Sequence, residues 1–150
     1  MVNPFDLKTA LLAKHAQHVV LIHFPIALFL AGAAFDFLAQ WTKRQSLAAA
    51  AHGNLLMAAV ATLPTIVTGL LAWQWQLEGQ RLKGVLLLHL ISGLASSLLI
   101  WIVWLMHQIS QRRRSGASSR YGLAVEGVAA LLVVLTGHLG GFLSGVNGPS

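Results

Sequence analysis

Four long apolar stretches, separated by short polar connections, dominate the pattern of hydrophobic and polar positions along this chain. They cover approximately residues 19–41, 47–75, 84–109 and 121–144. A helix crosses the ~30 Å hydrocarbon core of a bilayer in about 20 residues, so each stretch predicts a membrane-spanning helix. Because the connections are short, consecutive helices should be antiparallel. The sequence therefore predicts a single transmembrane domain over residues 1–150, an all-α integral membrane four-helix up-and-down bundle.

Composition supports a lipid bilayer as the environment of this chain. Hydrophobic residues make up 56% of the sequence and charged residues only 9%, whereas a soluble domain has roughly 25% charged residues. The net charge of +6 comes from basic residues in the connections and at the chain ends. Since they form no stripe interleaved with aromatic residues, nucleic acid is not an expected partner.

The basic residues also predict an orientation. Six lie in the first and third connections, namely Lys43, Arg44, Arg112, Arg113, Arg114 and Arg120. Four lie on the other side, namely Lys8, Lys14, Arg81 and Lys83. The positive-inside rule places the richer side in the cytoplasm, so both termini are expected outside.

Histidines inside the apolar stretches are the main candidates for chemistry. His23, His89 and His138 each lie one to two helical turns from the outer end of a predicted span, and so at similar depth. An imidazole at that depth needs a partner. In a simple bundle the first and third helices are diagonal, so His23 and His89 can approach a central ligand from opposite sides. We expect these two to be axial ligands of a b-type haem, with His138 as an alternative ligand or hydrogen-bond partner.

Such ligation would define the kind of activity. Two axial imidazoles leave no open position on the iron, which is suited to one-electron transfer rather than oxygen activation. The chain has no cysteine, which excludes thiolate ligands, iron–sulfur clusters and covalently attached c-type haem. No nucleophile–base pair or phosphate-binding loop is recognisable, so an electron-transfer protein or subunit is expected rather than a stand-alone enzyme.

Small and polar residues around these histidines extend the candidate site. His18 stands five residues before His23 and is expected at the mouth of the site. Gly93 follows His89 by one turn, and Gly140 and Gly141 follow His138. These glycines would admit a flat macrocycle, although they also suit ordinary packing of small residues between helices.

A second polar layer lies near the opposite ends of the predicted helices. It comprises Asp36, His52, His107 and Glu126. His52 and His107 are candidates for a second metal or haem site, or for a proton path. The favoured interpretation is that the four are interfacial residues reaching headgroups or water.

Two alternatives to a cytochrome stay open. His23, His89 and His138 together offer three nitrogen donors to copper or zinc. In the other alternative the chain is a cofactor-free accessory or assembly subunit, in which the histidines satisfy one another and backbone carbonyls. A larger membrane complex is then the expected partner, and a homo-oligomer is a possible assembly under any of these hypotheses.

The run from His18 to Leu28, HVVLIHFPIAL, resembles the opening signature of the bacterial membrane proteins designated domain of unknown function 2231 (DUF2231). Asp36, residues 69–73, His89 and residues 137–143 extend the resemblance over nearly the whole chain. The chain departs from it at Val19, where the family often has proline. The resemblance implies a four-helix protein of the bacterial inner membrane. Because some members are joined to Rieske or cytochrome c domains, it also implies electron transfer from quinol to a periplasmic partner of either kind.

Overall fold

The computed structural model describes residues 14–76, 79, 81–112 and 120–144, and within them it shows four helices. They are α1 (Lys14–Thr42), α2 (Gln45–Gln76), α3 (Gly84–Arg112) and α4 (Arg120–Leu143). All four are long and apolar enough to cross a membrane. The predicted all-α four-helix bundle is confirmed.

The helix ends show how the chain turns between its spans. Lys43 adopts φ +59°, and its N–H donates to the Ala39 carbonyl at 2.8 Å, so a left-handed residue closes α1. The Arg44 carbonyl then accepts the amides of Leu47 and Ala48, which starts α2. Two residues therefore reverse the chain, and this forces α1 and α2 to pack as an antiparallel pair.

A proline inside α1 is accommodated by the neighbouring helix. Pro25 lies within α1 and has no N–H, so the Leu21 carbonyl one turn earlier loses its helical partner. The Thr65 hydroxyl on α2 lies 3.4 Å from that carbonyl and also donates to Ala61 at 2.8 Å. The single hydroxyl proton is shared between the two carbonyls, and in lipid such a side-chain donor is one way to satisfy a freed carbonyl.

The four helices pack as two pairs. Contacts are most extensive between α1 and α2, next between α3 and α4, and sparser between α2 and α3 and between α1 and α4. Helices α1 and α3 are therefore diagonal, as expected from the sequence. The buried core at the centre includes Phe29, Leu55, Val103 and Ala129.

The outer surface of the bundle is apolar. Large side chains such as Leu63, Leu98 and Leu131 are more than half exposed. In water a continuous apolar surface of this kind would drive association. Facing hydrocarbon it costs nothing, which agrees with a membrane location.

Substitution of Gly32 tests the tight contact between α1 and α2. A Cβ at Gly32 would lie 2.9 Å from Leu55 Cγ and 3.3 Å from the Leu55 amide nitrogen, so Gly32→Ala should destabilise the bundle by about 1–3 kcal/mol. Gly53→Ala is the matched control, because no atom of the described residues lies within 4 Å of its added Cβ. Thermal unfolding in detergent should show a lower Tm for Gly32→Ala alone. Equal Tm values would contradict the close packing.

Candidate functional site

A cavity of about 430 Å³ lies between the two helix pairs, at the end of the bundle where α1 and α3 begin. All four helices contribute to its mostly apolar lining. Six of the residues singled out in the sequence are among those lining it: His18, His23, His89, Gly93, Gly140 and Gly141. The volume falls within the range of roughly 300–1,000 Å³ that is typical of ligand and cofactor sites.

His89 is held against α4. Its Nδ1 lies 3.1 Å from the Thr136 carbonyl oxygen, and since a carbonyl can only accept, Nδ1 carries the proton and donates. The ring lies over Gly140, where a Cβ would come within 3.1 Å of His89 Cε1. The hydrogen bond fixes the tautomer, which leaves the lone pair on Nε2.

His23 shows the same arrangement on the diagonal helix. Its Nδ1 lies 2.6 Å from the Val19 carbonyl oxygen, so Nδ1 donates here too and Nε2 holds the lone pair. The side chain is exposed on the outside of α1 as well as lining the cavity. Helices α1 and α3 thus each bring one imidazole of the same tautomer to a single apolar cavity.

His18 lies at the start of α1, beside the last turns of α2. Its Nδ1 is 3.2 Å from the Thr68 hydroxyl, whose own proton is directed at the Pro64 and Thr65 carbonyls. Nδ1 is therefore the donor in this bond as well. A Cβ at Gly69 would lie 2.9 Å from His18 Cε1, so the glycine makes room for the ring.

His138 is not brought to the cavity. It is exposed, and its ring meets Phe142 edge-on, with 5.0 Å between the centroids and an interplanar angle of 88°. The histidines that the structure brings together are His18, His23 and His89, whereas the sequence grouped His138 with the last two. Gly93, Gly140 and Gly141 lie with the three that line the cavity.

The deeper part of the cavity carries a short series of hydrogen bonds. Ser96 and Thr136 are joined through their hydroxyls at 3.1 Å, which links α3 to α4. Trp101 Nε1 donates to the Thr62 hydroxyl at 3.2 Å, which links α3 to α2. These bonds satisfy the polar groups that lie between the cavity and the core.

A second candidate site lies near the opposite end of the helices. Asp36, His107 and Glu126 are only 2%, 5% and 3% exposed. His107 Nε2 lies 2.6 Å from Glu126 Oε1 and 3.4 Å from Asp36 Oδ2, and Gln40 donates to the same Asp36 oxygen at 2.9 Å. The interpretation of these residues as interfacial groups reaching headgroups or water is wrong, because they are buried and bonded to one another.

A sequence signal for this cluster did exist. Of the four acidic residues in the chain, only Asp36 and Glu126 lie inside predicted spans. Antiparallel helices place both at the depth of His107, about two turns from the helix ends. Acids inside a membrane pair with a basic group, and His107 is the base at that depth on the facing helix.

His52, predicted with His107 as a second site, stands beside this cluster on α2. Its Nδ1 is buried and has no hydrogen-bond partner among the residues that the structure describes. It is close enough to His107 for the two imidazoles to interact electrostatically. The contacts of His107 described above are with the carboxylates of Asp36 and Glu126.

Comparison with known proteins identifies a family. A family described as "Predicted membrane protein (DUF2231)" matches residues 14–148, which contain both candidate sites. Neither the curated proteins nor the solved structures give a match.

Proposed function

Since the chain belongs to the DUF2231 family of membrane proteins, whose description names no activity, we propose a function from its own residues: a membrane b-type cytochrome. His23 and His89 are the proposed axial ligands of haem b in the cavity between the helix pairs. The observation that carries the proposal is the pair of imidazoles from diagonal helices, both lining one apolar cavity and both donating through Nδ1 to a backbone carbonyl.

The hydrogen bonds suit these histidines to a metal. Ligating histidines usually donate their second ring nitrogen to a carbonyl or carboxylate, which fixes the ring and makes the ligating nitrogen more basic. His23 has this bond to Val19, and His89 has it to Thr136. When bound, haem b would supply a one-electron iron couple, and His23 and His89 would hold it through Nε2.

Glycines in the cavity lining support a flat ligand in our proposal. Gly93 and Gly140 leave backbone where other residues would place side chains, and a Cβ at Gly140 would press on the His89 ring. Gly141 also lines the cavity. The mostly apolar walls would give a bound group surroundings of low dielectric constant, which is one of the factors that set the potential of a redox centre.

The position of the cavity suggests the direction of electron flow. It lies at the end of the bundle where α1 begins and α4 ends, the side that the distribution of Lys and Arg places outside. In our proposal quinol in the bacterial inner membrane is the donor. A periplasmic cytochrome c or Rieske-type protein is the acceptor.

A reduced-minus-oxidised visible spectrum tests the proposal. Full-length protein, expressed with ample haem and purified in detergent, should show the α-band of a b-type cytochrome. The band should be lost in His23→Ala and in His89→Ala, because each removes an axial ligand. It should persist in His138→Ala, a histidine outside the cavity.

Other outcomes favour the alternatives. A featureless spectrum with copper or zinc in elemental analysis, lost in His23→Ala/His89→Ala, would replace haem by a metal on the cavity histidines. A featureless spectrum without metal, together with co-purification of a larger membrane complex, would favour the accessory or assembly subunit.

A further inference from the structure

The cluster of Asp36, His107 and Glu126 brings together three ligand types that metals accept. One atom from each residue can be chosen so that all three lie within 4.8 Å of one another. The residues come from α1, α3 and α4 and are buried. Three separate helices thus converge on one point in the apolar interior, well away from the histidine cavity.

The net charge of the cluster depends on its protons. With both carboxylates ionised and His107 protonated it is −1, and uncompensated charge in a low-dielectric interior is strongly destabilising. Either one more proton or a divalent cation bound with neutral His107 brings the sum to zero.

Unpartnered atoms supply an independent indication of a missing ligand. Glu126 Oε2 is buried and accepts no hydrogen bond from the described residues, on a side chain that is only 4% exposed. His52 Nδ1, beside the cluster, is in the same condition within the described ranges. A buried acceptor without a donor is destabilising. A cation bound by Glu126 would satisfy Oε2.

We propose that Asp36, His107 and Glu126 bind a divalent first-row transition metal ion, such as Zn²⁺, Mn²⁺ or Fe²⁺. One imidazole and two carboxylates are suitable ligands for such ions at bond lengths of about 2.0–2.2 Å. The 3.4 Å between His107 Nε2 and Asp36 Oδ2 is the separation of two such ligands around one ion. The 2.6 Å between Nε2 and Glu126 is a hydrogen bond, whose proton the ion displaces.

This site is independent of the proposed haem, so the two can fail separately. The full chain, purified in detergent and stripped with chelator, is titrated with Mn²⁺ and followed by electron paramagnetic resonance, with Zn²⁺ as competitor. Wild-type protein and His23→Ala/His89→Ala should both bind close to one ion per chain. Asp36→Asn and Glu126→Gln should bind more weakly by at least the ~10–100-fold that loss of an outer-shell partner costs, because each changes a ligand itself.

A second readout covers variants that do not fold. Ions that bind only the folded chain raise its Tm as their concentration increases, and this can be measured on the wild type alone. Absence of both Mn²⁺ uptake and a Tm shift in the wild type would overturn the proposal. So would unchanged uptake in folded Asp36→Asn and Glu126→Gln, or loss of uptake in His23→Ala/His89→Ala. The cluster would then be a structural ion pair with a shared proton.

Discussion

His107→Leu is expected to lower the free energy of unfolding by about 3–5 kcal/mol, the cost of removing one partner from a buried ion pair. His107 stands between the carboxylates of Asp36 and Glu126. Without it, two buried carboxyl groups face each other with no basic group between them. One must take up a proton or the helices must separate, and either lowers stability.

Unfolding in detergent, followed by circular dichroism, measures this loss. His138→Leu is the matched control, because it makes the same change at an exposed position that is outside both sites. Its effect should stay within about 0.5 kcal/mol. Combining His107→Leu with Asp36→Asn and Glu126→Gln should recover part of the loss, since the uncompensated charge is then gone. Equal losses for the two histidines would show that the cluster contributes nothing particular to stability.

Gly93→Leu is expected to abolish haem uptake while the bundle stays folded. A Cβ at Gly93 meets only Thr136 Cγ2, at the ordinary distance of 3.7 Å, so the backbone tolerates a side chain there. The added leucine occupies space in the cavity that Gly93 lines. Filling a cavity usually raises stability by about 0.5–2 kcal/mol, so Tm should be unchanged or higher.

The reduced-minus-oxidised spectrum and the Tm are measured on the same sample. Gly127→Leu is the control, because Gly127 is exposed on α4 and nothing described lies within 4 Å of its added Cβ. That variant should keep the α-band. A full α-band in Gly93→Leu would mean that the cavity is not where the cofactor binds. Loss of the α-band together with a lower Tm would show that the leucine overpacks the bundle instead of only blocking haem binding.

The helices could be predicted closely because lipid imposes a simple rule on length and polarity. The apolar run from residue 121 to 144 became α4 almost exactly, ending at Leu143. The start of α1 was placed at residue 19, whereas the helix begins at Lys14. Apolar residues mark where a helix enters hydrocarbon, while the helix itself continues into the polar interface.

Depth along each helix could be predicted better than the direction of a side chain around it. Counting residues correctly put His89 and His138 at one end of the bundle. On α4, however, Thr136 and Gly140 are four residues apart and both face the cavity, while His138 lies two residues from each. At 3.6 residues per turn this is roughly the opposite face. With Gly140 taken as the contact of His89, the spacing alone predicts that His138 points away from the cavity.

The buried cluster was harder to predict because its burial depends on three helices at once. Asp36, His107 and Glu126 each lie two turns or less from a helix end, where an isolated side chain would reach water. Because the three helices converge, these side chains are removed from water and bond to one another instead. That convergence is set by helix rotation, which no single stretch of sequence specifies.

The packing of the helices as two close pairs favours an order of assembly in the membrane. Each pair can insert into the bilayer and form as a hairpin before the hairpins associate. Both sites span the junction between hairpins: His23 and His89 come from different pairs, as do Asp36 and His107. A cofactor or ion bound at these sites would stabilise only the joined state, so on our two proposals the supply of these ligands would govern the last step of assembly.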